Sequence, residues 1–260
     1  MTAALHHPRR RRIPSAVSDS EVGTRGAWAR EAVTLVVAGV VLLAVMTALG
    51  LFLTHTLGHS ALTRADKRLS DGIFRHRSAA WTSATWWFTQ FAEALTVVVA
   101  GALIAIAFRV RSGRWIPGMF LLAALLGESS IYVLITTLVH RHRPLIKHLD
   151  AAPPTSSFPS GHVAASVCLY GALAIIAWQL SRRRPLQILA TVAAVVVPIC
   201  VAVARVYRGM HFPTDVASGA VLGTLWLGIV ARVLTPELGT ARRGSPPEAH
   251  GADPAERTSR

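Results

Sequence analysis

A chain of 260 residues with 52% hydrophobic side chains, 15% charged ones and a mean hydropathy of +0.44 is too apolar for an ordinary soluble domain. A net charge of +14 would point to nucleic acid in a soluble protein. Here the basic residues fall at the two ends and in short clusters between apolar runs, the distribution that hydrocarbon imposes, so no nucleic-acid partner is expected.

Residues 1–30, with "RRRRIPSAVSDSEVGTRG", are polar and aperiodic and read as a disordered cytoplasmic tail. Residues 31–235 read as one membrane domain holding six stretches of the roughly 20 apolar residues that a helix needs to span the hydrocarbon core. The first is Ala32 to Leu53, too long for a signal-peptide core and followed by further spans, so it reads as an uncleaved anchor. A charged and apolar stretch, "LTRADKRLSDGIF", predicts an interfacial helix between His55 and Ala80. The second span is expected from about Phe88 to Phe108, the third from Trp115 to Val139 and the fourth from Val163 to Leu180. The fifth is expected from Leu186 to about Ala204 and the sixth from about Thr214 to Leu234. Residues 236–260 read as a second disordered cytoplasmic tail. The period-2 alternation of a barrel is absent, so the fold class is all-α, a polytopic bundle of six transmembrane helices in the cell membrane. Cys168 and Cys200 lie in apolar runs without CxxC spacing and read as buried thiols.

The short loops "RVRSGR" and "SRRRP" are dense in arginine, which places them and both tails in the cytoplasm. The loops after the first, third and fifth spans then face outward. Two of these carry the polar chemistry of the chain, "HRHRPLIKHLDAAPPTSSFPSGH" and "ARVYRGMHFPTD".

Arg143 and Arg205 each offer a planar fork of donors suited to phosphate oxygens, and two such cations facing one pocket call for an anion between them. Taken singly, either could as well contact lipid headgroups. Ser160 and Gly161 stand at the start of the fourth span, where free backbone N–H groups and the helix dipole attract an anion, although Ser160 alone could be a simple helix cap. His211 and Asp215 are four residues apart, a spacing that lets the carboxylate reach a ring nitrogen and leave the other for nucleophilic attack. Alone, such a pair is as readily a capping Asp beside an interfacial His. His162 on the same face could protonate a leaving group. Glu128, in the middle of the third span, reads as a buried hydrogen-bonding group or a functional one, and Glu93 is less constrained.

The strings "RP" at Arg143 and Pro144, "PSGH" from Pro159 to His162 and "RVYRGMHFPTD" from Arg205 to Asp215 together resemble the three-part motif of the type 2 phosphatidic acid phosphatase superfamily. The resemblance runs from about Trp115 to Leu234 and implies a helical bundle and a lipid phosphatase without metal or other cofactor, acting through a phosphohistidine intermediate. It implies His211 as nucleophile, Asp215 as its orienting partner and His162 as general acid, then base. Arg143, Ser160, Gly161 and Arg205 would hold the phosphoryl oxygens. The chain departs from the pattern at Thr136, where the family has lysine, and at Ala204, where it has serine; Arg141 or Lys147 is expected to supply the missing charge.

The substrates that fit are membrane lipids, with isoprenyl pyrophosphates such as undecaprenyl pyrophosphate first and phosphatidylglycerol phosphate and phosphatidic acid beside them. A non-catalytic lipid-phosphate binder and a lipid-linked phosphotransferase are the alternative readings. The oligomeric state is not legible.

Overall fold

The computed structural model of the chain describes residues 19–58, 60–152 and 154–243. Among them are eight α-helices and no strand: α1 (Asp19–Leu51, extended by a π-turn over Phe52–Thr56), α2 (Ala61–Arg75), α3 (Ala79–Gln90), α4 (Ala94–Ser112), α5 (Ile116–Leu138), α6 (Gly161–Leu180), α7 (Arg184–Tyr207) and α8 (Pro213–Arg243). Six segments are long and apolar enough to cross a membrane: Trp28–Thr56, Ala94–Arg111, Ile116–Leu138, Gly161–Leu180, Arg184–Tyr207 and Pro213–Pro236. The protein is a multi-pass membrane protein. Its valine- and leucine-rich outer faces, such as Val36, Val40, Leu103 and Leu189, stay uncovered by protein, as they can when lipid is the solvent.

The span boundaries differ from expectation in two places. The second span begins at Ala94, because Phe88 belongs to α3, a helix of its own started by the Ser78 hydroxyl, which accepts from Trp81 N–H at 3.3 Å. The expected tails also shorten. Residues 19–30 continue α1 and residues 236–243 continue α8, since extending a helix already nucleated by a span needs only one more hydrogen bond per residue. Residues 1–18 and 244–260, the rest of the expected tails, lie outside the described residues.

Helix α6 is the centre of the bundle, packed against α5, α7 and α8, while α1 closes over α5 and α8. Its contact with α8 depends on small residues. A Cβ on Gly219 would stand 2.4 Å from the Ser160 carbonyl oxygen, and one on Gly223 2.7 Å from that of Ala164. Gly219→Ala therefore forces α8 away from the start of α6, with an expected loss of about 1–3 kcal/mol. Thermal unfolding in detergent checks this against Gly228→Ala, where a Cβ meets nothing within 4 Å and no loss is expected.

The interfacial helix α2 turns Asp66 and Ser70 inward and leaves Leu62 and Leu69 exposed on its other side. This inverted amphipathicity fits an element lying between a polar site and acyl chains.

Candidate functional site

Three segments meet at one end of the bundle: the loop between α5 and α6, the first turn of α6, and the turn between α7 and α8. Backbone bonds stitch them together, from Leu149 N–H to Arg208 O (3.0 Å), Ser157 N–H to Arg141 O (2.9 Å) and Ser160 N–H to Asp215 O (3.0 Å). The α7–α8 turn reverses at Gly209, whose φ of +78° is the left-handed region that a side chain disfavours. Buried Arg208 grips the loop from below. Its Nε and Nη2 fork onto Asp150 at 2.6–2.9 Å, and its Nη1 donates to Thr82 O at 3.1 Å. Arg77 adds bonds to Tyr207 O (2.9 and 2.7 Å) and Lys147 O (2.6 Å), which tie the α2–α3 connection to the site.

His211 is buried in this turn, and its Nδ1 lies 2.7 Å from the carbonyl oxygen of Ser157. A carbonyl can only accept, so Nδ1 carries the proton and Nε2 keeps its lone pair. The expected partner, Asp215, is farther away: its Oδ2 stands 4.0 Å from Nδ1. That carboxylate is already taken up by Phe212 N–H (2.9 Å) and by the Arg141 guanidinium. The tautomer is thus held by a backbone carbonyl, with the Asp215 charge behind it. Burial first, and then the facing cations Arg205 and Arg143, hold the His211 imidazole well below its usual protonation range.

Around His211 stand donors without partners. Arg143 gives one terminal nitrogen to Met210 O (2.8 Å), and Arg205 gives one to Asp150 (3.1 Å), yet the buried Nε of each makes no hydrogen bond. Ser160 is fully buried at the helix start but does not cap α6 with its hydroxyl, which also has no partner. The simple-cap reading of Ser160 is therefore set aside. Gly161 has another reason than close approach of an anion. A Cβ there would lie 2.7 Å from the Tyr132 ring, so glycine lets α5 and α6 touch.

His162, in the first turn of α6, places Nε2 3.2 Å from the Glu93 carboxylate at the α3–α4 elbow. Glu93 was not distinguishable in the sequence from any acidic residue opening a helix.

Of the two residues expected to replace the missing lysine, one is already taken up by carboxylates and the other stands in an outer depression. Arg141 is buried between two carboxylates, Asp215 and Asp66 (3.0 Å), and donates to Thr214 Oγ1 at 2.7 Å. Its charge is consumed in holding α2 to the start of α8, where Asp66 also receives Thr214 N–H at 3.2 Å. Lys147 is exposed, in an outer depression with Asp71, Phe74 and Arg75. Thr136 is buried, its hydroxyl bonded to Val133 O within α5, and Ala204 is buried. The lysine that shares a cavity with Arg143 is Lys67 on α2, in a space of about 690 Å³ also lined by Arg141, Ser70, His142, Leu53 and Phe212. Glu128 is buried mid-span and accepts from the Ser129 hydroxyl at 3.3 Å, away from these groups in sequence and partners. Among the described residues no group of three or more His, Cys, Asp or Glu side chains is placed to hold a metal ion.

The chain is 37% identical over 78 residues to phosphatidylglycerophosphatase B of Bacillus subtilis and 32% identical over 131 residues to an undecaprenyl-diphosphatase of Sulfolobus acidocaldarius. The matches cover 28% and 50% of this chain, and only 37% and 59% of those relatives. The crystal structure of a transmembrane PAP2-type phosphatidylglycerolphosphate phosphatase from Bacillus subtilis superimposes with a TM-score of 0.63, over 73% of this chain and 94% of that one; at 23% identity the likeness shows a shared fold. Residues 117–237, which contain every unpartnered donor described above as well as His162, His211 and Asp215, match the PAP2 superfamily.

Proposed function

We propose that the protein is an integral-membrane lipid phosphatase acting through a phosphohistidine on His211, with its site on the extracytoplasmic face. One observation carries this reading: Arg143 Nε, Arg205 Nε and Ser160 Oγ are buried with no partner in the protein, and both arginines act on the His211 ring. Buried donors left unmade are expensive, and a tetrahedral anion with three oxygens satisfies all three at once.

The reaction follows from the tautomer. Nε2 of His211 attacks phosphorus in line with the leaving oxygen, while Nδ1–H stays on Ser157 O. The P–O bond to the lipid breaks and the leaving oxygen takes a proton from His162. The neutral His162 then removes a proton from water as that water attacks phosphorus, and the P–N bond breaks to release phosphate and free His211. Pre-aimed guanidinium groups and helix N–H groups stabilise the charge that spreads over the equatorial oxygens. The Asp215 charge, 4.0 Å from Nδ1, stabilises the phosphoimidazolium.

The substrate is a lipid because the site opens at the ends of membrane helices, where a headgroup can enter while its tails remain in the bilayer. Isoprenyl pyrophosphates, phosphatidylglycerol phosphate and phosphatidic acid all meet this description. The arginine-dense turns at Arg109–Arg114 and Arg182–Arg184 lie at the opposite ends of the spans, which supports an outward site by the positive-inside rule.

Phosphate release by the purified protein in detergent, across this panel of lipids, tests the reading; binding without release would favour a lipid-phosphate binder, and transfer to an acceptor without release a phosphotransferase. The pH profile adds a sign. Because burial first, and then the cations, keep His211 neutral, the acid limb of kcat/KM that belongs to it falls below the ordinary histidine value of about 6.5. Arg143→Gln removes one of those charges and shifts that limb upward.

A further inference from the structure

Glu93 is the one acidic side chain bonded to a proposed reacting histidine that the motif does not contain. It directly precedes α4 but makes no capping bond to that helix, so its carboxylate is free to reach α6. Its place is built rather than incidental. The neighbouring Ala92 is buried against Val163 and Val201, and Phe91 O accepts from the Tyr170 hydroxyl at 3.2 Å, which fixes the α3–α4 elbow on both α6 and α7. The result is a carboxylate oxygen 3.2 Å from His162 Nε2.

His162 has reason to need it. The charged and titratable groups that act on this ring are Arg205 from α7, Asp150 from the α5–α6 loop, His211 from the α7–α8 turn and Glu93 from the elbow. Asp150 is shared between Arg205 and Arg208. Two arginines thus draw on one carboxylate, and Arg205 repels a second cation at His162. A protonated imidazole there requires another anion, and among the described residues Glu93 is the carboxylate hydrogen-bonded to the ring.

We propose that Glu93 is the positioning residue of the general acid: its carboxylate accepts Nε2–H from His162 and, together with the bound substrate phosphate, stabilises the imidazolium, so that Nδ1–H points to the leaving oxygen. This rests on the phosphatase reading above. As the P–O bond breaks, the Nδ1 proton passes to that oxygen and His162 becomes neutral with Nε2–H kept on Glu93. Nδ1 then accepts the proton of the attacking water, which restores the imidazolium. No net proton enters or leaves the ring in a cycle.

The consequence is a dependence on the leaving group. A lipid monoester expels an alkoxide, which needs that proton, whereas a lipid diphosphate expels a phosphate, which leaves well without it. Glu93 therefore matters most for monoester substrates.

The experiment compares phosphatidic acid with an isoprenyl diphosphate as substrates of the full-length protein in detergent. Glu93→Gln keeps an acceptor for Nε2–H and removes the charge. It is expected to lower kcat on the monoester about 100-fold, within the range of a general acid, with KM unchanged, and to lower kcat on the diphosphate less than about threefold. Glu93→Asp is expected to recover part of the monoester rate. His162→Ala is expected to lose rate on both substrates, because water attack on the phosphohistidine is slowed, and more on the monoester, and Glu93→Gln to cost nothing further in that background. Equal losses on both substrates, no loss on either, or a loss additive with His162→Ala overturns the proposal. If the wild-type protein releases phosphate from none of the panel, phosphatidylglycerol phosphate included, the phosphatase reading fails and the proposal with it, an outcome that leaves a pattern distinct from the others.

Discussion

Replacing His211 with alanine is expected to abolish phosphate release, with kcat reduced about 10⁴-fold or more and the protein still folded. Removing a nucleophile destroys the covalent route and leaves only what the anion cradle contributes, which is why losses of this size accompany such substitutions. The structure says why folding survives. The His211 ring makes one side-chain bond, to Ser157 O, while the turn that carries it is held by backbone bonds and by Arg208, Asp150 and Arg77. Steady-state release of phosphate, with a melting curve in the same detergent, checks both halves. Retained turnover in a folded His211→Ala protein would remove the mechanism.

Arg205 is expected to give the second largest effect. Arg205→Gln should lower kcat about 10²–10³-fold, the scale of losing one pre-aimed donor to a transition-state oxyanion. Arg205→Lys should recover little, since a point charge cannot reproduce a planar fork whose Nε already faces the site. Stability should change far less than activity, because Asp150 keeps its fork with Arg208 when Arg205 is gone. The other cations set a gradient. Arg143→Gln should resemble Arg205→Gln, and Lys67→Ala, which empties the wall of the cavity beside Arg143, should raise KM several-fold with little change in kcat. Kinetics on one lipid substrate across the series give the order. Equal effects from Lys67 and Arg205 would mean that the cradle lies elsewhere in the cavity.

The fold was readable where hydrocarbon dictates it. Six long apolar runs became six spans within a few residues of their expected limits, because the cost of exposing backbone to lipid leaves a helix as the only local solution. The exception was the stretch before Ala94, whose aromatic residues resemble a span although Ser78 starts a separate helix there. Nothing in periodicity marks the turn at Gln90–Glu93, which is fixed by Ala92 packing between α6 and α7.

The candidate site residues were legible for a different reason: the proposed phosphoryl transfer demands particular side chains at particular spacings, and these stand in the string. Their supports were not. The contact of Asp66 with Thr214 spans 148 positions, and that of Arg77 with Tyr207 spans 130. Such pairs exist only after the helices have packed. The same reason explains Arg141. Its place two residues before Arg143 suggested phosphate binding, but Asp66 and Asp215 close on it from opposite ends of the chain. Ser157 was invisible in another way, since the atom that holds His211 is a backbone carbonyl, which any residue type could supply.

The most direct test is to trap the intermediate. Protein incubated briefly with an isoprenyl diphosphate labelled in its terminal phosphate, then quenched in alkali, is expected to carry one acid-labile, base-stable label on the peptide containing His211, and more of it in His162→Ala, where water attack is slowed. Turnover with no protein-bound label under either condition, or a label on any other residue, would contradict the account.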